Sequence, residues 1–380
     1  MGQGKLKRSF RNGEKKQPMD ITFFVLVMCL LTIGLIMLFS ASYAYAFYMT
    51  GNSFYYIGRQ LAFAALGVAA MLVISRIDYH ILRKFVYPIY AISVLLLVVV
   101  LFMPAINSAK RWIVLPGVGQ FQPSEVAKFA IIVIFSHYIA LNYQKMRTLK
   151  KGLLPFALLL IPVVGLMVLE PHLSGTILIL LLAGCLLIIG GANLAWFGVA
   201  AAAAGGALAF LVMFTDVIEY AMGRLTTWLD PFSDPQGLGW QTVQSLLSIG
   251  SGGFFGLGLG QSRQKYLYVP EPQNDFIFAI VCEELGYIGA LLIIGLFAAL
   301  VWRGIVISSR AKDRFGAMLC VGLVLQVGIQ AVLNIMVVTN TIPNTGISLP
   351  FFSYGGTSLI MLLAQMGVVL SISRSAVLKQ

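Results

Sequence analysis

Long apolar runs punctuate the chain at roughly 21–47, 61–74, 86–103, 124–141, 152–169, 176–191, 197–214, 276–302, 315–338 and 354–372. A helix needs about 20 apolar residues to cross a bilayer. The pattern therefore predicts an all-α polytopic membrane protein with ten transmembrane helices. The run at 61–74 is short and must extend into its flanks. Residues 1–20 read as a basic tail, 21–372 as the ten-helix domain and 373–380 as a second tail. Between the seventh and eighth runs lies a polar, glycine-rich segment, 215–275. A connection of that length usually has a function of its own. Within it, Tyr220–Leu229 and Gln241–Ile249 carry helical spacing, which suggests re-entrant or interfacial helices.

Composition supports the membrane assignment, with 59% hydrophobic and 11% charged residues against about 25% charged in soluble domains. The net charge of +12 is unevenly spread. When the connections are assigned alternately to the two sides, 19 of the 26 basic residues fall on one side and six on the other, with Lys128 inside a helix. By the positive-inside rule both termini are then cytoplasmic and the 215–275 loop is extracytoplasmic. The surplus orients the protein and is not a nucleic-acid footprint. Ala44-Tyr45-Ala46 resembles a signal-peptide cleavage site, but the run Ile21–Phe39 exceeds a typical h-region of 7–15 residues. Cys29, Cys185, Cys282 and Cys320 all lie in apolar runs, so neither a disulfide framework nor a cysteine metal site is expected. His80, His137 and His172 are too scattered for a histidine metal site.

Candidate chemistry sits in a few polar positions. Asp275 follows the proline-rich turn Val269-Pro270-Glu271-Pro272-Gln273-Asn274 and opens the eighth helix. There a carboxylate is stabilised by the helix dipole, and a plain N-cap is the rival reading. Glu125 and Lys128, at i and i+3, can neutralise each other inside the membrane; a bundle-locking pair and a substrate-facing role fit equally. Glu283 comes round to about 80° from Asp275 at ~100° per residue, whereas Glu284 faces away. A proton relay is conceivable for Glu283, and a buried structural pair is favoured. Gln326, Gln330 and Asn334 form an i, i+4, i+8 row suited to interhelical hydrogen bonds. The six glycines of 250–260 suit close backbone packing better than an anion cradle. Two prolines and three glycines within 343–357 force irregular backbone, which is tolerated at a membrane edge where it lines a cavity or is buried in protein.

Several stretches together resemble the SEDS family of peptidoglycan polymerases, the RodA/FtsW/SpoVE type, over nearly the whole chain. They are Lys110-Arg111-Trp112-Ile113, Phe121 through Lys128, Trp228-Leu229-Asp230-Pro231-Phe232, Gln241 through Ser245, the glycine run, Pro270 through Phe278 and Gly346 through Ser358. The resemblance implies a ten-helix bundle that polymerises lipid II, an undecaprenyl-pyrophosphate-linked disaccharide-peptide, at the outer face. It puts the essential aspartate on Asp275, as general base toward the acceptor 4-hydroxyl. Lys110, Arg111, Glu125, Lys128, Arg224, Gln244, Ser245, Lys265, Glu271, Pro343, Ser353 and Gly355 are the residues it sets against substrate. Implied partners are a class B penicillin-binding protein, other division or elongation proteins and membrane lipid. A divalent cation, Mg or Mn, could assist the leaving pyrophosphate, although no dedicated cage is evident.

Two stretches depart from the family pattern. Glu170-Pro171-His172-Leu173-Ser174-Gly175-Thr176 stands where Gln-Pro-Asp-x-Gly-Thr is common, so only a cavity-wall role carries over. Gln273 and Asn274 replace the usual His and Thr and keep hydrogen-bonding capacity. Val338 through Pro343 and Ser353 through Thr357 lean toward the FtsW/SpoVE branch. A lipid II flippase and a non-catalytic scaffold for the penicillin-binding protein are the alternatives. The clustering of candidate groups on one side and the absence of internal repeats speak against a transporter.

Overall fold

The computed structural model describes residues 18–104, 110–115, 119–170, 172–196, 198, 227–237 and 239–375. The helices are α1 (Ile21–Thr50), α2 (Tyr55–Ile74), α3 (His80–Lys84), α4 (Val86–Leu101), α5 (Pro123–Asn142), α6 (Leu154–Leu169), α7 (Leu173–Ile189), α8 (Trp240–Gly252), α9 (Ile277–Ser309), α10 (Arg314–Val338) and α11 (Gly356–Ser375). Among the described residues, seven helical stretches are long and apolar enough to cross a membrane, and α4 and α7 are shorter apolar helices. Apart from residue 198, the predicted seventh run at 197–214 lies outside the described residues, as does the segment 220–226 with Arg224. Nine of the ten predicted runs correspond to apolar helices among the described residues. As expected, α2 extends beyond its short apolar run, starting at Tyr55.

Helices α5, α10 and α11 are the most enclosed spans, and α5 and α10 lie side by side. Helices α4 and α7 pack on α5, α9 packs on α10, and α2 packs along α11. Elsewhere large apolar side chains such as Leu61, Leu66, Leu158, Ile161 and Leu292 face outward. In water such exposure would be costly; against lipid tails it is the expected surface. The pattern of apolar runs did not reveal one element. Ile113–Leu115 and Gly119–Phe121 form a two-stranded antiparallel hairpin just before α5.

Helix α9 is broken near its start. Gly286 has φ 67° and ψ −170°, which separates the half-helix Ile277–Leu285 from the long membrane portion. The glycine run fills the break. Leu257 and Gly258 N–H groups donate to the Glu283 and Glu284 carbonyls, and Tyr287 and Ile288 N–H groups donate to those of Gly253 and Phe254. A Cβ on Gly286 would lie 2.2 Å from the Gly256 nitrogen, and one on Gly256 would lie 2.2 Å from the Glu284 carbonyl oxygen. The glycines thus serve close packing. They let two backbones exchange the hydrogen bonds that a kink in a membrane helix would otherwise leave unmade.

Candidate active site

The half-helix of α9 presents Asp275 at its head. Glu271 has φ 46°, a left-handed conformation that turns the chain back, and the Asn274 N–H donates to its carbonyl. Phe276 occupies the N-cap position and no side chain caps the helix. Asp275 is therefore not a capping residue. It is half-buried, and among the described residues no donor is hydrogen-bonded to its carboxylate. Burial, aided by the nearby negative charge of Glu271, pushes its pKa up to about 6 against the pull of Arg111.

The irregular loop between α10 and α11 is stitched onto this turn. Asn334 Nδ2 donates to the Asp275 carbonyl at 2.7 Å and to that of Ile347 at 2.6 Å. Ser353 Oγ donates to the Asn274 carbonyl at 2.8 Å and accepts from the Leu349 N–H at 2.7 Å. The Tyr354 N–H donates to the Gln273 carbonyl. Gly346 has φ 69°, and a Cβ there would approach Asp275 Oδ2 to 3.2 Å. This loop has the irregular backbone that its prolines and glycines suggested, and it packs on the Asp275 turn. Asn340 and Trp228 exchange side-chain to main-chain bonds of 3.0 Å, and Asn344 Nδ2 donates to Gln241 Oε1 at 3.0 Å. The part of the 215–275 segment that leads into α8 is thereby fixed over the same loop.

A second set of polar groups comes from α5 and its neighbours. Lys128 Nζ is 2.7 Å from Glu125 Oε1 and 3.3 Å from Gln330 Oε1, while Gln330 Nε2 donates to the Ser348 carbonyl at 3.0 Å. The row on α10 thus links the Glu125–Lys128 pair to the loop through Gln330 and to Asp275 through Asn334. Nearby, Glu170 is only 1% exposed. Burial raises its pKa to about 8 despite Arg111. His172 is driven down to about 3 by burial and by the charges of Arg111 and Lys128. Glu170 Oε1 and His172 Nδ1 lack hydrogen-bond partners among the described residues, and Gln122 Nε2 lies 3.4 Å from His172 Nε2. Arg111 acts electrostatically on Glu170, His172 and Asp275 alike. It is the charge common to both sets.

Of the residues assigned to substrate, Arg111, Glu125, Lys128, Glu271, Ser353 and Asp275 are joined by these bonds and charges. Glu271 is exposed and accepts from Asn274 Nδ2 at 2.8 Å. Gly355 N–H bonds Gln60 Oε1 at 3.3 Å, and Pro343 is half-buried in the loop. Lys110 is exposed, with Nζ on the Leu101 carbonyl at 3.1 Å. Lys265 must be corrected. It is 0% exposed and pairs with Glu284 Oε1 at 2.8 Å, so it faces the core and no substrate. Ser245 is likewise internal, donating to the Val338 carbonyl at 2.8 Å, and Gln244 is buried beside it. Nor is Glu283 open like Asp275, because its carboxylate is taken up by Ser248, Ser262, Arg263 and Gln264. Sequence reasoning gave Glu170 and His172 no chemical role. Their signal was the departure at 170–176, an acid and a histidine beside a membrane span. Among the described residues no three His, Cys, Asp or Glu side chains group as metal ligands.

Comparison with known proteins matches residues 20–377 to the family profile FtsW/RodA/SpoVE, described as "Cell cycle protein". Stage V sporulation protein E of Bacillus subtilis is 41% identical, the alignment covering 95% of this chain and 98% of that protein. A probable peptidoglycan glycosyltransferase FtsW of Trichlorobacter lovleyi is 37% identical over 97% of this chain and 95% of its own. Among solved structures, a chain of a peptidoglycan synthase complex, described as coordinating polymerization and crosslinking, superposes with a TM-score of 0.77. It is 28% identical, over 94% of this chain and 98% of that one. The rod shape determining protein RodA of Thermus thermophilus superposes with a TM-score of 0.67 at 27% identity, over 94% of this chain and 97% of that one.

Proposed function

Because this chain belongs to the FtsW/RodA/SpoVE family of multi-pass membrane proteins, we propose that it is a peptidoglycan glycosyltransferase of cell-wall synthesis, polymerising lipid II with Asp275 as general base. The observation that carries the reading is the Asp275 carboxylate itself. It is half-buried, its backbone is clamped by Asn334 and Ser353, and its pKa of about 6 leaves it mostly ionised yet basic near neutrality. General bases work best with a pKa near the operating pH.

In the proposed step, Asp275 takes the proton of the acceptor GlcNAc 4-hydroxyl. The oxygen attacks the anomeric carbon of the donor MurNAc, a new glycosidic bond forms, and the bond to the pyrophosphate oxygen breaks. Undecaprenyl pyrophosphate leaves with that electron pair. Lys110 and Arg111 are the cations suited to the departing charge, and Arg224 is a third candidate. Glu125, Lys128 and Gln330 position the wall of the cavity. The full bundle has ten spanning helices in this reading, with both termini cytoplasmic and the 215–275 segment and Asp275 outside, as the basic surplus requires. A class B penicillin-binding protein is the proposed partner. The relatives named FtsW and SpoVE support the division or sporulation branch.

The test is polymerisation of purified lipid II followed on a gel, with and without the transpeptidase partner. Wild type should give glycan strands, and Asp275→Asn should lose at least ~10²-fold in rate while keeping its elution volume and melting no lower than wild type. Equal strands from both proteins would remove Asp275 from the reaction. No strands from wild type, even with the partner, would favour a flippase or scaffold.

A further inference from the structure

Where the end of α1 and the start of α2 meet the loop before α11, four tyrosine rings gather. Tyr56 is at their centre. Its ring lies 4.9 Å from that of Tyr354 and 5.2 Å from that of Tyr55, both edge-on, and 6.1 Å from that of Tyr45. Arg59, one turn further along α2, sits 4.4 Å over the Tyr55 ring and donates to the Tyr354 hydroxyl. Gln60 ties the same helix to the loop backbone. Its Nε2 donates to the Ser353 carbonyl at 3.3 Å, and its Oε1 accepts from the Gly355 N–H.

This cluster adjoins the Asp275 turn. The Tyr354 N–H donates to the Gln273 carbonyl, and two residues of chain span at most about 7 Å. The charge of Glu271 acts on Tyr45 and Tyr56 as it does on Asp275. Amphipathic rings also collect at membrane surfaces as a belt, and Phe47 and Tyr48, 63% and 70% exposed, fit that description. The four tyrosines do not. They are half-buried, packed on one another and braced by Arg59 and Gln60. Half-buried rings set among phenol hydroxyls, a guanidinium and a carboxylate suit a ligand with apolar faces and a polar rim. A pyranose is such a ligand. Its polarised C–H bonds are drawn to the negative face of an aromatic ring, and its hydroxyl and acetamido groups bond to phenol, guanidinium and carboxylate.

We propose that Tyr45, Tyr55, Tyr56 and Tyr354 form a saccharide platform beside Asp275, on which the β-linked amino-sugar strand lies. Sugar faces stack on the rings, and sugar hydroxyl and acetamido groups bond to the phenols, Arg59 and Glu271. A strand held there stays within reach of the next addition, so the platform sets strand length. This deepens the polymerase reading and rests on it.

The experiment uses the full chain in lipid nanodiscs, free of sugar-headed detergent, and chitotetraose, a soluble β-linked GlcNAc oligomer, as probe. Saturation-transfer NMR should show the tetramer bound to wild type and also to Asp275→Asn, because stacking needs no general base. Tyr56→Leu and Tyr45→Leu should each bind it about tenfold more weakly, the worth of one aromatic stack. Tyr56→Phe, which keeps the ring, should stay within about threefold of wild type. With lipid II and the transpeptidase partner, the two Leu variants should make markedly shorter strands and Tyr56→Phe strands of nearly full length; a merely structural role would not separate Leu from Phe in this way. If Tyr56→Leu fails to fold, Tyr45→Leu, at the edge of the cluster, decides. Wild-type binding and strand length in the folded Leu variants, or no binding of the tetramer by wild type, would overturn the platform without touching Asp275. A wild type that binds the tetramer but forms no strands would uphold the saccharide site and overturn the polymerase reading instead.

Discussion

Asp275 and Glu284 stand at opposite ends of one half-helix of α9, two to three turns apart, and their surroundings are opposites. Glu284 is 1% exposed and accepts from Ser40 Oγ, the Gly260 and Ser262 N–H groups and Lys265 Nζ. Its neighbour Glu283 accepts from Ser248 and Ser262 hydroxyls and from the Arg263 and Gln264 N–H groups. These eight donors replace the water that the two carboxylates lost, which is the condition for burying charge at tolerable cost. Asp275 has no such donors among the described residues. Its main chain is held instead, by Asn334, while its side chain stays open beside Gly346. A carboxylate whose hydrogen-bonding capacity is consumed is structural; one whose backbone is fixed and whose oxygens are left open is equipped for chemistry. The fixed end also holds the glycine run against the kink, so the end proposed to react stands on a rigid base.

The largest effect should come from unpairing the satisfied end. Glu284→Ala leaves Lys265 charged and buried without its partner, a loss of about 3–5 kcal/mol for a broken buried pair. It should read out as a large drop in melting temperature or a failure to insert. The double variant Glu284→Gln/Lys265→Met, with no net charge, should recover most of that loss. If the single and double variants melt alike, the ion pair is not what fixes the loop.

The next effect is the pH response of the open end. Raising the pKa of Asp275 from 3.8 to about 6 favours the neutral form in the fold. Its contribution to stability is thus present at low pH and lost as pH rises through about 6. Polymerisation runs the other way, since only the ionised form accepts a proton: the rate should fall about tenfold per unit below pH 6 and level off above pH 7. Asp275→Asn should accordingly raise the melting temperature more at pH 8 than at pH 4. A flat pH profile for the wild-type rate between pH 5 and 7 would contradict the assignment of the base. The smallest effect should be that of Gly346→Ala. It forces a side chain into a left-handed conformation, at about 1 kcal/mol, and crowds Asp275 Oδ2. A several-fold loss in rate with little change in lipid II affinity is expected; an unchanged rate would mean that the wall does not set the position of the carboxylate.

Much of this molecule was legible in its sequence. The apolar runs gave α1, α2, α4 to α7 and α9 to α11, because in a bilayer length and hydropathy alone decide what can span. The prolines and glycines of 343–357 announced irregular backbone, and the motif around Asp275 singled out the acid proposed as the base. What the sequence could not settle was which charged groups face the cavity. Lys265 and Glu271 lie six residues apart in one polar loop, yet Lys265 is sealed in the core and Glu271 is exposed. Glu170 and His172 looked like a mere departure from a pattern until folding set them near Arg111. Composition and hydropathy act over one segment at a time and so fix the helices locally. The fate of a buried charge depends on donors supplied from distant segments, Ser40 and Ser262 for Glu284 or Asn334 for the Asp275 backbone, and only the tertiary structure brings those together.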